Sequence, residues 1–409
     1  HKMINGSSLL IYQIIKSWSH QMNKYYISLP LILMLIHLNV FAEQKDVFSE
    51  VEEVYREYVQ DFIENDFDGI ASHFSVPVRF NSLSQNALTI EDVKAVYRDM
   101  KNNIQEGYSY STIDSIKIYP SNDLYIADVI YSRFNDKNEL LFTGNTLYEF
   151  INVDESWKMI SLSSKALPQQ TSAALTSALE RNIRSEKNMA RDKFRHPYET
   201  LTFFGISPAM KVIELSPGGG WYTEIFASYL EQGNLIAAHH DPNSKSNYRK
   251  RSRARFEEKL NSSPVYDSIK LVNLDGSLAE PNSVDAVVTF RNLHNWIGSS
   301  VDLIFENSFA ALKPGGVLGV VEHRAPPGTS IDSMKKSGYV TENYAIKAAQ
   351  NAGFVLLGKS EINSNPKDTA DHPMGVWTLP PNLRLKDQDR EKYLAIGESD
   401  RMTLLFRKP

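Results

Sequence analysis

The stretch that most constrains this chain is a short apolar run closed by an acid, Val212-Ile-Glu214-Leu, followed by Ser216, Pro217 and three consecutive glycines, Gly218, Gly219 and Gly220. Residues 221–230, Trp-Tyr-Thr-Glu-Ile-Phe-Ala-Ser-Tyr-Leu, then place apolar side chains at helical spacing. The order reads as strand, tight turn and helix. Glycines let the backbone turn sharply and let a ligand approach main-chain N–H groups that a Cβ would cover. The unpaired N–H groups of a helix start favour negative or hydrogen-bond-accepting ligand atoms. The stretch therefore predicts a nucleotide-like site at the head of an open α/β domain. It is not the Gly-x-Gly-x-x-Gly fingerprint, and it lacks the Gly-Lys-Ser/Thr ending of a phosphate loop.

An acid followed by a Gly-rich turn resembles the first motif of class I S-adenosylmethionine-dependent methyltransferases. The resemblance implies a Rossmann-like α/β domain with S-adenosyl-L-methionine as cofactor, Glu214 near its amino group, and Gly218 and Gly220 in the turn beneath its methionine part. In such domains an acid closing the second strand accepts both ribose hydroxyls, a role that suits a carboxylate. Here residues 234–239 form that strand, and His239 and His240 precede Asp241, so the ribose role of Asp241 requires the strand end to extend or curl. The two histidines point to opposite faces of a strand and lack a third ligand at paired spacing, so no metal site is read there. Asp275, after the third strand, matches the position that bonds the adenine amino group in the resembling domains.

The fourth strand, 283–290, runs into Arg291-Asn292-Leu-His294-Asn-Trp296, and the fifth, 317–321, ends in Glu322-His323-Arg324. Ligands of open parallel sheets sit at the C-terminal ends of the strands. Arg291, His294, Glu322 and His323 are thus the candidate catalytic residues, with either histidine as a base near neutral pH. A helix is expected from Ser337-Gly-Tyr339 to Gly353, then a strand over 354–362 and a long irregular loop containing Lys367. Asn292, Tyr339 and Lys367 are the candidate substrate contacts, Lys367 or Arg291 orienting an anionic acceptor. Phe-Arg-Asn-Leu-His-Asn-Trp, Val-Val-Glu-His-Arg-Ala, Asn-Pro-Lys-Asp, Val-Trp-Thr-Leu-Pro-Pro and Gly-Glu-Ser-Asp-Arg-Met together resemble a family of bacterial methyltransferase-like proteins that often bear export signals, over about residues 180–409.

Residues 27–42 form an apolar core after a weakly basic start, ending with Val40 and Ala42 at small-residue spacing. That reads as a secretory signal cleaved after Ala42, and a membrane anchor is the alternative, disfavoured by the short run and by Pro30 and His37. With Met22 as the better start, residues 1–21 read as upstream sequence. The domain reading is 1–42 upstream segment and signal peptide, 43–168 a front domain, 169–180 a linker and 181–409 the methyltransferase-like domain. In the front domain, residues 47–65 and 90–104 show helical spacing, residues 67–74 read as short helical turns, and residues 108–163 change to period two with three turns. Two or three helices before an antiparallel sheet resemble the nuclear-transport-factor-like (SnoaL-like) α+β cone. Its histidine, His73, reads as packed or exposed rather than catalytic. Residues 173–195 read as helical, with a basic excess on a solvated face; the methyltransferase resemblance implies instead that this segment folds over the cofactor site, with Asn188, Arg191 and His196-Pro-Tyr198 near the pocket.

A chain of 409 residues suggests two or three domains. A net charge of −5 gives no footprint for nucleic acid, and the lack of cysteine excludes disulfides, thiolate zinc sites and cysteine nucleophiles. The sequence thus predicts a periplasmic or secreted protein that transfers a methyl group from S-adenosyl-L-methionine to a small molecule. It predicts no nucleic-acid partner, no stable membrane association after cleavage, and a homodimer through the front domain. Two alternatives remain open at this point: a periplasmic small-molecule-binding protein with an inactive methyltransferase fold, since the cofactor is made in the cytoplasm, and a structural module in which the strand-end cluster pairs with Asp368, Asp371 and Glu398 and ties the late loops down.

Overall fold

The computed structural model describes residues 47–83, 85–167 and 173–409. The signal-peptide reading and residues 169–172 of the linker fall outside them. Among the described residues no helix is long and apolar enough to cross a membrane.

The front half opens with helix Val47–Glu64, whose buried residues Phe48, Val51, Tyr55, Tyr58 and Phe62 recur at the spacing of one helical face. Helix Phe67–Ser72 follows, and helix Ile90–Asn102 is started by a reciprocal capping box between Thr89 and Asp92. These helices accompany strands β1 (Phe74–Phe80), β2 (Gln85–Ala87), β3 (Tyr108–Ser121), β4 (Leu124–Asn135), β5 (Leu140–Val153) and β6 (Ser156–Lys165). From β3 to β6 they form an antiparallel meander, and β1 returns parallel to β6. His73 is buried, and its Nε2 lies 2.8 Å from Asp61 Oδ2, so it is packed as expected. A cavity of about 190 Å³ among Tyr55, Tyr58, Phe62, Tyr97, Tyr148 and Arg133 remains inside this half.

The second half contributes β7 (Val212–Leu215), β8 (Leu235–His239), β9 (Lys270–Asn273), β10 (Val284–Phe290), β11 (Leu312–His323), β12 (Val355–Ser360) and β13 (Arg401–Arg407). Their order across the sheet is β12-β13-β11-β10-β7-β8-β9. All neighbours from β11 to β9 are parallel, whereas β13 runs antiparallel to both β11 and β12. Numbered within this half, the order is 3-2-1-4-5-7-6, a doubly wound sheet whose direction of winding reverses between β7 and β10. A crevice opens where winding reverses, so β7 and β10 position the site. Every residue of β7 and β8 is buried. Continuous burial explains why these strands, apart from Glu214 and His239, read as apolar runs without alternation.

The two halves share one sheet. Gly358, Lys359 and Ser360 of β12 pair with Lys117, Ile116 and Ser115 of β3, making a thirteen-stranded sheet. A Cβ on Gly358 would lie 3.0 Å from the Lys117 side chain and 3.1 Å from the Ile116 carbonyl oxygen, so glycine allows this join to close.

Three expectations need correction. Residues 173–195 form three short helices, Ala173–Leu179, Glu186–Met189 and Asp192–Arg195, and the basic excess is no solvated face: Arg184 and Arg195 are buried. Arg184 is held by Asp192 with contacts of 2.6 and 2.7 Å, a tertiary partner that local spacing could not show. The helix expected from Ser337 to Gly353 starts later, at Glu342, and ends at Asn351, because Gly338 in the left-handed region at φ 76° closes a separate, unexpected helix, Ile331–Ser337. Phe74 starts β1 rather than ending a helical turn.

Candidate cofactor and catalytic site

At the C-terminal end of β7 the chain leaves through Ser216 (φ 51°) and Gly218 (φ 60°), and Gly220 (φ 79°) starts helix Trp221–Tyr229. The glycines differ in role. A Cβ built on Gly218 meets nothing within 4 Å, whereas one on Gly220 would lie 2.7 Å from Lys259 and 3.2 Å from Phe256. Gly218 thus faces open space and Gly220 serves packing. The space is a groove of about 960 Å³ that brings together Ser216, Gly218, His240, Asp241, Asp275 and Asn292. Of the predicted cofactor residues, Gly218, Asp241 and Asp275 line it, and so does Asn292, which was assigned to substrate. Asn292 Nδ2 reaches the carbonyl oxygens of Ser216 and Phe290, each at 3.1 Å, and so ties the ends of β7 and β10.

Glu214 does not line the groove. It is buried, takes a 2.6 Å hydrogen bond from Thr223 Oγ1, and its carboxyl is pushed up to about 8, chiefly by burial, against the opposing effects of that hydrogen bond and of Lys259. His239 and His240 have distinct jobs that residue type alone did not signal. The His239 ring lies over Phe256 with centroids 5.2 Å apart, its Nδ1 accepts from the His240 N–H at 2.8 Å, and its Nε2 is 3.4 Å from the Gly218 carbonyl. With Nδ1 accepting, Nε2 carries the proton and braces the glycine turn. Burial and the neighbouring His240 hold this imidazole down at about 4, so it is neutral. Asp241 follows the end of β8, and its Oδ1 accepts the Asn243 N–H at 2.8 Å.

The fourth and fifth strand ends carry a second cluster. Glu322 is fully buried, and its Oε1 lies 3.0 Å from His294 Nδ1 and accepts the His323 N–H at 2.8 Å. Its Oε2 accepts the His294 N–H at 3.1 Å. The imidazoles of His294 and His323 have centroids 5.3 Å apart. His323 Nδ1 is bonded to Ser399 Oγ, and burial, His294 and three arginines push its basicity well below that of free imidazole. Ligand atoms of His294, Glu322 and His323 all lie within 4.8 Å of one another, a composition that suits a metal ion. Against that stand Arg291, Arg401 and Arg195, which already disfavour positive charge on His323.

Arg291 is removed from the groove and ion-pairs with Glu398 at 3.8 Å. Tyr339 is buried, and its hydroxyl bonds both oxygens of Asp368 at 2.9 and 3.0 Å. Lys367 stands exposed on its loop, away from these contacts. Sequence reasoning named Asp368 and Glu398 only as loop carboxylates that could pair with the strand-end cluster, and the Arg291–Glu398 contact is such a pair. Asp368 also receives the Asp400 and Ala370 N–H groups and lies 2.8 Å from His372 Nε2, so it organises the late loop. Their only sequence signal was membership of the Asn-Pro-Lys-Asp and Gly-Glu-Ser-Asp-Arg-Met motifs.

The order of strands decides the architecture. This chain carries an α+β domain followed by a doubly wound, Rossmann-like α/β domain. Residues 49–166 match the model of a family described as NTF2-like protein (DUF6841). No curated protein matches the chain. Among solved structures, a candidate sarcosine dimethylglycine methyltransferase from Galdieria sulphuraria is 16% identical with a TM-score of 0.40, covering 55% of this chain and 91% of that one. The cyclase SpnF is 18% identical with a TM-score of 0.40, over 56% of this chain and 86% of its own. A geranyl diphosphate methyltransferase in complex with SAM is 10% identical with a TM-score of 0.39, over 57% and 95%.

Proposed function

We propose that this protein is an S-adenosylmethionine-dependent methyltransferase acting on a small molecule. The observation that carries the reading is the groove at the β7 and β10 ends. Gly218 leaves room there for a ligand against the backbone, and Ser216 Oγ is buried without a hydrogen-bond partner. A buried hydroxyl lacking a partner costs about 1–3 kcal/mol, which a polar ligand would relieve. Asp241 and Asp275 supply carboxylates for hydroxyl and amino donors along the same groove. These residues fit a nucleoside with an amino-acid tail, and bound there the cofactor supplies an electrophilic methyl group on a sulfonium.

The chain's own contribution to chemistry lies at the ends of β10 and β11. Glu322, as a carboxylate, can only accept, so the His294 proton sits on Nδ1 and Nε2 is left with a lone pair. In this reading His294 Nε2 takes the proton from an oxygen or nitrogen of the acceptor as that atom gains the methyl group. Glu322 fixes the tautomer and ring orientation.

Calorimetry on the full chain tests the reading with S-adenosylmethionine and its demethylated product. Binding of both is expected, with retained binding but lost turnover in His294→Gln. No heat from either ligand at concentrations above about 1 mM, where binding free energy would be weaker than about 4 kcal/mol, overturns it. The second reading, a ligand-binding protein without catalysis, is favoured by the burial of Glu322 and its three hydrogen bonds, which also suit a purely structural network. Cofactor binding without any methyl transfer would select it.

A further inference from the structure

Around Glu398 the charges do not balance. Its carboxylate is buried and meets Arg191 at 2.6 Å, Arg195 at 3.3 Å, Arg401 at 3.4 Å and Arg291 at 3.8 Å. Four guanidiniums thus face one carboxylate. The neighbouring acids are engaged elsewhere: Asp400 takes Arg324 at 2.8 and 3.0 Å, and Asp192 takes Arg184. Arginine stays protonated in proteins, so the excess positive charge persists at neutral pH.

Two of these side chains also keep one donor nitrogen unpaired. Arg195 is 3% exposed and its Nη2 makes no hydrogen bond, and the buried Nη2 of Arg191 makes none either. Among the described residues the Arg291 guanidinium has only its 3.8 Å ion pair. Arg401, by contrast, is satisfied by the carbonyl oxygens of Ser399 and Phe194. Leaving buried charged donors unpaired is costly, and a planar guanidinium fork matches an oxyanion in two parallel bonds.

The position of the cluster gives it meaning. Arg291 follows β10 and Arg401 begins β13, on either side of β11, which ends in Glu322 and His323. Arg401 stands opposite His323 in the β11–β13 pairing, and the Arg291 backbone N–H bonds the carbonyl oxygen of Val321, two residues before His323, at 2.6 Å.

We infer that Arg191, Arg195 and Arg291 form an oxyanion subsite, organised by Glu398, that binds the carboxylate of a small molecule beside His323. The subsite stands on its own geometry, while its role in anchoring an acidic methyl acceptor rests on the methyltransferase reading. A carboxylate there has two sources, the acceptor's acid group and the amino-acid end of the cofactor, and competition separates them.

The test uses the full chain and succinate, with inorganic phosphate as a second oxyanion and chloride at matched ionic strength as reference. Saturable thermal stabilisation and calorimetric binding by succinate are expected. Arg291→Gln should weaken that affinity at least about tenfold, the loss of one charged hydrogen-bonded pair, and Arg79→Gln, at an exposed ion pair of the front domain, should not. Should Arg291→Gln fail to fold, Arg191→Gln serves in its place. Succinate binding that persists in the presence of S-adenosylhomocysteine assigns the subsite to the acceptor, and displacement assigns it to the cofactor's carboxylate. Neither oxyanion stabilising the wild type beyond chloride overturns the subsite, as does an equal effect of Arg79→Gln. Because this measurement needs no methyl donor, absent cofactor binding alongside intact succinate binding would sink only the methyl-transfer reading.

Discussion

His294 Nδ1 lies 3.0 Å from Glu322 Oε1, across the C-terminal ends of the parallel strands β10 and β11. The pair joins a buried carboxylate to an imidazole whose side chain is 8% exposed, and so leaves one ring nitrogen with a defined lone pair. Replacing His294 by glutamine keeps a hydrogen-bonding group but removes the base. Turnover should fall about 100-fold or more, the usual worth of general base catalysis, with cofactor affinity and melting temperature nearly unchanged. Steady-state kinetics beside calorimetry and melting curves check this, and His323→Gln provides the companion. If both variants lose stability in step with activity, the cluster is a structural network.

Gly218 and Gly220 should separate binding from folding. A leucine at Gly218 points its side chain into the groove and strains a backbone at φ 60°, costing about 1–2 kcal/mol while blocking the ligand. Leucine at Gly220 adds to similar strain a clash with Lys259 and Phe256. Chemical denaturation should therefore find Gly220→Leu the less stable variant, and calorimetry should find no cofactor binding in a folded Gly218→Leu.

Stability should carry a pH signature from Glu214. Its folded carboxyl sits at about 8 against an ordinary 4.5, so between those values the native state holds a proton that the unfolded chain releases. The contribution is therefore present below about 4.5 and lost as pH rises through about 8, with a slope of about 1.4 kcal/mol per pH unit in the window. Glu214→Gln should remove that slope in urea titrations at several pH values. His239, held at about 4 against an ordinary 6.5, works in the opposite sense: its contribution is present above about 6.5 and lost as pH falls through about 4. An unaltered pH profile in Glu214→Gln would contradict the assignment.

Glu398 should be the most costly single carboxylate to remove. Burial opposes its charge, but Arg195, Arg291, Arg401 and Arg191 hold its carboxyl down to about 2. Glu398→Gln would leave four guanidiniums without a counter-charge, and breaking a buried ion pair costs about 3–5 kcal/mol. A denaturation midpoint within error of wild type would show that the arginines find other partners.

Residues 47–167 expressed alone should self-associate. In the whole chain β12 covers the edge of β3 through Lys117, Ile116 and Ser115, and without β12 those backbone groups are free to pair with another copy. Ultracentrifugation should show dimers or larger species for the fragment, and a purely monomeric fragment at high concentration would refute the expectation.

The sequence by itself determined the elements and their order. The period-two runs of β3 to β6, the apolar β7 and β10, and the glycine turn are local patterns set by backbone sterics and alternating burial, and they needed no partner to be read. The groove residues Gly218, Asp241 and Asp275 were legible for the same reason, since each stands at or just after a strand end. Tertiary structure decided which charges meet: the sequence offered Glu398 as a partner of the strand-end cluster that includes Arg291, but not of Arg191 and Arg195. Arg191 and Arg195 looked like a solvated basic stretch until Glu398, 207 and 203 positions away, came into contact with them. Glu214 looked like a ligand contact until packing enclosed it with Thr223. The join of β12 to β3 was equally invisible, because strand pairing is a main-chain contact that side-chain type specifies only weakly. Burial and electrostatic partnership depend on distance in space, which spacing along the chain does not contain.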